Sequence, residues 1–180
     1  MVAALRRYLE AALEWFVIFQ MVVLTVVVIV AVLFRIYGNS LSWYDEIAAI
    51  QLSWITYYGA ALAALKRRHI GFDSVLLSLP VNLRMAGVVL AEAFVIAFFA
   101  ALAWTGWQVL QVLEGDMLVS LTWMPVQITQ SVIPIGAVLF IICELLSVPD
   151  YWRATKDGKS LEHMEIEEEV ETELQKAGAR

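Results

Sequence analysis

Hydrophobic positions along this chain fall into four long runs, at about residues 13–34, 47–65, 85–113 and 126–148, separated by short polar segments. A helix that crosses the hydrocarbon of a bilayer needs roughly 20 mostly apolar residues, and each run comes close to or exceeds that length. Water is absent there, so each run must satisfy its own backbone groups as a helix. The third run is long enough to tilt or to overhang the membrane. Arg6 and Arg7 precede the first run, as they would a signal peptide. That run is too long for a signal core and no small-x-small cleavage site follows it, so it reads as an uncleaved span.

The connecting segments add direction. Arg6 and Arg7 precede the first span, Lys66, Arg67, Arg68 and Arg84 lie between the second and third, and Arg153, Lys156 and Lys159 follow the fourth. The opposite side carries only Arg35 in its first loop and no Lys or Arg in its second. Basic loops stay in the cytoplasm, so both termini are expected there. Trp15, Trp43, Tyr44, Trp123, Tyr151 and Trp152 fall near predicted span ends, where amphipathic rings favour the interface. Leu76, Leu77, Leu79, Val81 and Leu83 surround Pro80 in a stretch too short to span, expected to lie along the inner interface. The fold class is therefore an all-α integral membrane protein with four transmembrane helices and a short interfacial segment.

Composition reinforces this picture. Hydrophobic residues make up 61% of the chain and the mean hydropathy is +0.74, against an apolar share nearer 45–50% in average soluble chains. The net charge of −6 arises mostly from residues 162–173. The division is thus a four-helix membrane domain at 1–150 and an acidic cytoplasmic tail at 151–180, in which Ile166, Val170 and Leu174 form a narrow apolar stripe. Nothing resembles a basic nucleic-acid footprint. Cys143 stands alone, which leaves no intrachain disulfide.

Candidate chemistry is sparse. Ionisable groups inside a membrane are functional candidates by default: Glu14, Glu92 and Glu144, of which Glu92 is the deepest, roughly 12 Å along its helix. Glu92 could hold a proton or cation, or could pair with a basic group such as Arg84. On the outer side, Ser42 is placed to cap a helix beginning at Trp43, with Asp45 and Glu46 in its first turn. Arg35 lies across a short loop from them. Those residues read either as capping plus a surface ion pair or, with Glu114 and Asp116, as an external docking patch. Lys66, Arg67 and Arg68 read as a stop-transfer cluster on anionic headgroups, and His69 with Asp73 as residues that order the inner loop. No haem-ligand pair, metal-ligand spacing or nucleophile motif points to an enzyme, and no convincing internal repeat points to a complete transporter. Packing signals are richer. Ala49, Ser53, Thr56, Ala60 and Ala63 put small residues on one face of the second span, where another helix can approach closely. Pro134 should kink the fourth span, next to Gly136, and Gln127, Thr129, Gln130 and Ser131 precede it.

Taken in order, Trp43-Tyr44-Asp45-Glu46, Lys66-Arg67-Arg68-His69-Ile70-Gly71-Phe72-Asp73, Met124-Pro125 and Pro134-Ile135-Gly136 make the chain resemble the small, Q-type membrane subunit of tripartite ATP-independent periplasmic (TRAP) transporters, over about residues 13–148. The resemblance implies a multi-pass protein of a bacterial inner membrane. Its partners would be a large permease subunit and a periplasmic substrate-binding protein, with membrane lipid around it. Sodium and the organic-acid substrate would bind the large subunit, and this chain would hold no cofactor. Its role would be a non-catalytic scaffold. On that reading Arg35, Asp45 and Glu46 organise the outer side, His69 and Asp73 the inner loop, and the small face of span two and the kinked span four meet the partner. The competing reading is a self-sufficient small oligomeric transporter or channel that uses Glu92. A membrane anchor for a redox enzyme would need cofactor ligands that the chain lacks.

Overall fold

The structure is a computed structural model that describes residues 2–67 and 78–158, with Val170 and Leu174. The described chain is helical, in the order α1 (Val2–Ile36), α2 (Tyr44–Lys66), α3 (Val81–Val112), α4 (Val126–Gln130) and α5 (Val132–Lys156). Four stretches are long and apolar enough to cross a membrane: α1, α2, α3, and α4 with α5 taken together.

Element ends differ from the sequence pattern in informative ways. α1 extends well before the predicted span, because Ala-, Leu- and Glu-rich residues 3–14 are good helix formers. At 35 residues it is about 52 Å long, against roughly 30 Å of hydrocarbon. α3 starts at Val81, after Pro80 in an extended conformation, which suits a residue with fixed φ and no N–H just before a first turn. Val81 and Leu83 therefore belong to α3. The rest of the expected interfacial segment, to Leu77, lies outside the described residues, as do His69 and Asp73. Trp43 rather than Ser42 occupies the N-cap position of α2, and no side chain bonds the helix end there.

The expected break in the fourth span is present as the α4–α5 junction at Ser131. Pro134 has no N–H to offer the carbonyl of Gln130, and its ring crowds that carbonyl. The ladder is interrupted there, and side chains take up groups around it. Thr129 donates to the Val126 carbonyl at 2.8 Å and Ser131 to that of Ile128 at 2.7 Å. The Trp54 indole N–H of α2 donates to the Thr129 carbonyl at 3.1 Å. Gln127 reaches the Leu110 carbonyl of α3 at 2.8 Å. The break thus fastens span four to both neighbours.

α5 is the central helix. α2 and α3 both pack on it, and α1 packs on α2. In its most apolar stretch the fourth span has 44% of its residues buried, whereas the first and third have 6% each. The core lies between α1, α2 and α5 and contains Leu13, Ala61, Ala64, Leu65, Phe140 and Cys143. Phe99 of α3 stacks on Phe140 with ring centroids 3.6 Å apart. Gly136 sits so close to Tyr57 that a Cβ there would lie 2.7 Å from the Tyr57 Cβ. Gly106 meets Ile133 and Pro134 in the same manner, at 3.0 and 3.1 Å.

Candidate functional site

Two regions gather the polar residues of the described chain. The first is at the end where α2 stops. Arg67 follows α2 in the left-handed region, with φ +53°. That conformation turns its side chain back into the bundle. Its Nη1 lies 2.5 Å from Glu92 Oε1 of α3 and 3.0 Å from Glu144 Oε1 of α5. Nε donates to Ser147 Oγ at 2.8 Å, and the guanidinium carbon stands 4.6 Å from the ring centre of Tyr151. One guanidinium therefore joins three helices. All three charged side chains are mostly buried, Glu144 the most at 6% exposed. Glu92 Oε2 and Glu144 Oε2 are buried and have no hydrogen-bond partner.

The rest of this end is tied in the same way. Lys66 pairs with Glu14, and with Glu10 at 3.2 Å, which joins α2 to α1. Arg6 pairs with Asp150 of α5 and donates to the Leu65 carbonyl at 3.2 Å. Arg84 donates to the Thr155 and Leu79 carbonyls, each at 3.1 Å. Those bonds satisfy a carbonyl of the last turn of α5, where cations suit the helix dipole. Arg84 is thus engaged away from Glu92, whose basic partner is Arg67. Lys66 and Arg67 turn inward, toward carboxylates, rather than outward as headgroup ligands. Along the chain Glu92 can be matched with a basic residue such as Arg84, whereas Lys66 and Arg67 read as headgroup ligands. Three inner-half carboxylates next to a basic run at a span end was the signal that could have joined them.

The second region is the opposite end. Glu46 accepts the backbone N–H groups of Val119 at 3.1 Å and Ser120 at 2.9 Å, and also the Ser120 hydroxyl. It fastens the first turn of α2 to the loop between α3 and α4. That loop is folded on itself through Leu118 N–H to the Met124 carbonyl and Val126 N–H to the Asp116 carbonyl, both at 3.0 Å. The structure thus takes Glu46 to Ser120. Among the described residues no ion pair links Arg35 to Asp45 or Glu46. Val119 and Trp123 project from the same loop, 91% and 74% exposed.

Between these ends the small residues of α2 divide into two faces. Ala61 and Ala64 are buried, on the same side as Tyr57, which meets Gly136 of α5. Ala49, Ser53 and Thr56 face outward and exposed, with Ala60 and Ala63 half-buried. The Ser53 and Thr56 hydroxyls return to the carbonyls of Ala49 and Leu52, at 3.0 and 2.8 Å. This surface therefore presents no unsatisfied donor. A Cβ on Gly59 would meet nothing within 4 Å. By contrast, Pro134 and Gly136 are both buried inside the chain.

A comparison with protein-family models matches residues 24–154 to "Tripartite ATP-independent periplasmic transporters, DctQ component". A comparison with curated proteins finds no match.

Proposed function

The chain belongs to the DctQ component family of tripartite ATP-independent periplasmic transporters, a transporter-component family rather than an enzyme family, and from that premise we propose that it is a non-catalytic scaffold subunit. It anchors the large permease subunit in a bacterial inner membrane. It also helps dock the periplasmic substrate-binding protein during sodium-coupled uptake of an organic acid.

The observation that carries the reading is the uneven burial of the spans. α5 holds the largest share of fully buried residues, whereas few residues of α1 and α3 are fully buried, many of their large apolar side chains are exposed, and α2 leaves its Ala49–Ser53–Thr56 face open. Lipid can cover any of these surfaces. A face of small residues with self-satisfied hydroxyls also lets another helix backbone come close, the arrangement that favours helix association in a bilayer. At the outer end, the loop held by Glu46 offers apolar Val119 and Trp123 beside acidic Glu114 and Asp116 to a soluble partner. Glu92, the candidate coupling carboxylate of a self-sufficient transporter, is bound to Arg67 inside the bundle.

Purification in mild detergent tests the reading. A much larger multispanning protein is expected to co-purify with the chain, and Gly59→Leu or Ser53→Leu is expected to reduce its recovery while the chain itself stays folded. Recovery of the chain alone, or flux through the purified chain that Glu92→Gln abolishes, would replace the scaffold with the self-sufficient transporter. Uptake by reconstituted vesicles is expected only when both membrane subunits and the binding protein are present.

A further inference from the structure

The cluster that joins α2, α3 and α5 has an unbalanced charge count. One guanidinium, Arg67, faces two carboxyl groups, Glu92 and Glu144. Both carboxyls reach the same nitrogen, Nη1, so they lie within the sum of those two short distances of each other. Among the described residues, the groups around them do not supply a second positive charge. On α2, Lys66 is engaged with Glu10 and Glu14 of α1. On α3, Arg84 is engaged with the carbonyls of Thr155, near the end of α5, and of Leu79, just before α3. On α5, the neighbours are Ser147, Tyr151 and the buried thiol of Cys143. The Ser147 hydroxyl proton is directed to the Glu144 backbone carbonyl, at 2.9 Å.

Hydrogen bonding is unbalanced in the same sense. An ionised carboxylate only accepts, and an unpaired buried acceptor or charge is strongly disfavoured. Here each carboxyl has one oxygen on Arg67 and a second, buried oxygen with no donor. Two like charges that share one site are relieved by a proton. A single proton would supply what both counts lack, since it removes one negative charge and turns one orphan acceptor into a donor.

We propose that Glu92 and Glu144 hold one proton between them, so that the Arg67–Glu92–Glu144 cluster is a neutral, proton-occupied joint between three spans. Arg67 balances one carboxylate, and the proton balances the other. Loss of the proton leaves a net negative charge between α3 and α5 and works against their apposition.

Infrared spectroscopy of the full chain in lipid nanodiscs at neutral pH tests this. The expected result is a carbonyl stretch from an un-ionised carboxyl that shifts down in heavy water. The band is expected to disappear in Glu92→Gln and equally in Glu144→Gln, because the remaining carboxyl then has Arg67 to itself. Both substitutions keep side-chain shape, and the amide bands report whether each variant keeps its helices. If one variant fails to fold, the other decides alone. Absence of the band from the unmodified chain overturns the proposal. So does its survival in either folded variant, which would place the proton outside the shared pair. A band that comes and goes with sodium at fixed pH would also overturn it, in favour of a metal cation.

Discussion

Position 136 admits no side chain beyond hydrogen, because the Tyr57 Cβ is a fixed stub rather than a flexible tip. Adding a methyl group forces backbone movement between α2 and α5. Gly136→Ala is therefore expected to destabilise the isolated chain by about 1–3 kcal/mol, read as a lower unfolding temperature in detergent. Gly59 provides the internal contrast. Its Cβ position is open, and Gly→Ala in a helix interior is stabilising by roughly 0.5–1 kcal/mol, so Gly59→Ala is expected to leave the isolated chain as stable or more so. Equal destabilisation by both would deny the Gly136–Tyr57 contact its role. The two glycines look alike in sequence. One lies at a helix crossing and the other on an open face, and only the relative placement of α2 and α5 separates them.

At the scale of elements, Arg67 decides how α2, α3 and α5 meet. Its φ of +53° is one that glycine adopts most readily, so a local argument alone would favour glycine there. The cluster argues the opposite. Removal of one partner from a buried charge group leaves the others uncompensated, at about 3–5 kcal/mol. Arg67→Met and Arg67→Gly are both expected to destabilise the chain by an amount of that order in the same unfolding measurement. A glycine variant as stable as the parent would mean that the cluster contributes nothing to the packing. Pro134 belongs to this scale too. Its missing N–H made a break in span four legible from sequence, but the consequence was not legible: the interruption places the Thr129 carbonyl where the Trp54 indole reaches it, and Trp54 is more than seventy residues away.

For the whole molecule, α5 packs against both α2 and α3, and α1 packs against α2, with many large apolar side chains of α1 and α3 left exposed. The start of α1 and the end of α5 lie together through Arg6 and Asp150, as four crossings require. The basic residues predict which side that is. Reporter fusions at either terminus are expected to be active only in the cytoplasm, and a reporter inserted after Gly115 only outside it. An active cytoplasmic reporter at Gly115 would reverse the assignment.

Sequence by itself determined the number of spans, their helical nature, the break near Pro134 and the family. Each follows from local rules: hydrocarbon length, backbone satisfaction and the chemistry of proline are properties of contiguous residues. Tertiary structure decided the partners. Lys66 and Arg67 read along the chain as ligands of lipid headgroups, and Asp45 and Glu46 as helix capping with a surface ion pair or as a docking patch. In the fold the two basic residues meet Glu10, Glu14, Glu92 and Glu144, and Glu46 meets the amides of Val119 and Ser120. A long charged or acidic side chain reaches several ångströms in whichever direction its helix is turned. The turn of one helix relative to the next is set by packing at remote contacts such as Gly136 on Tyr57, which no periodicity in a single span records.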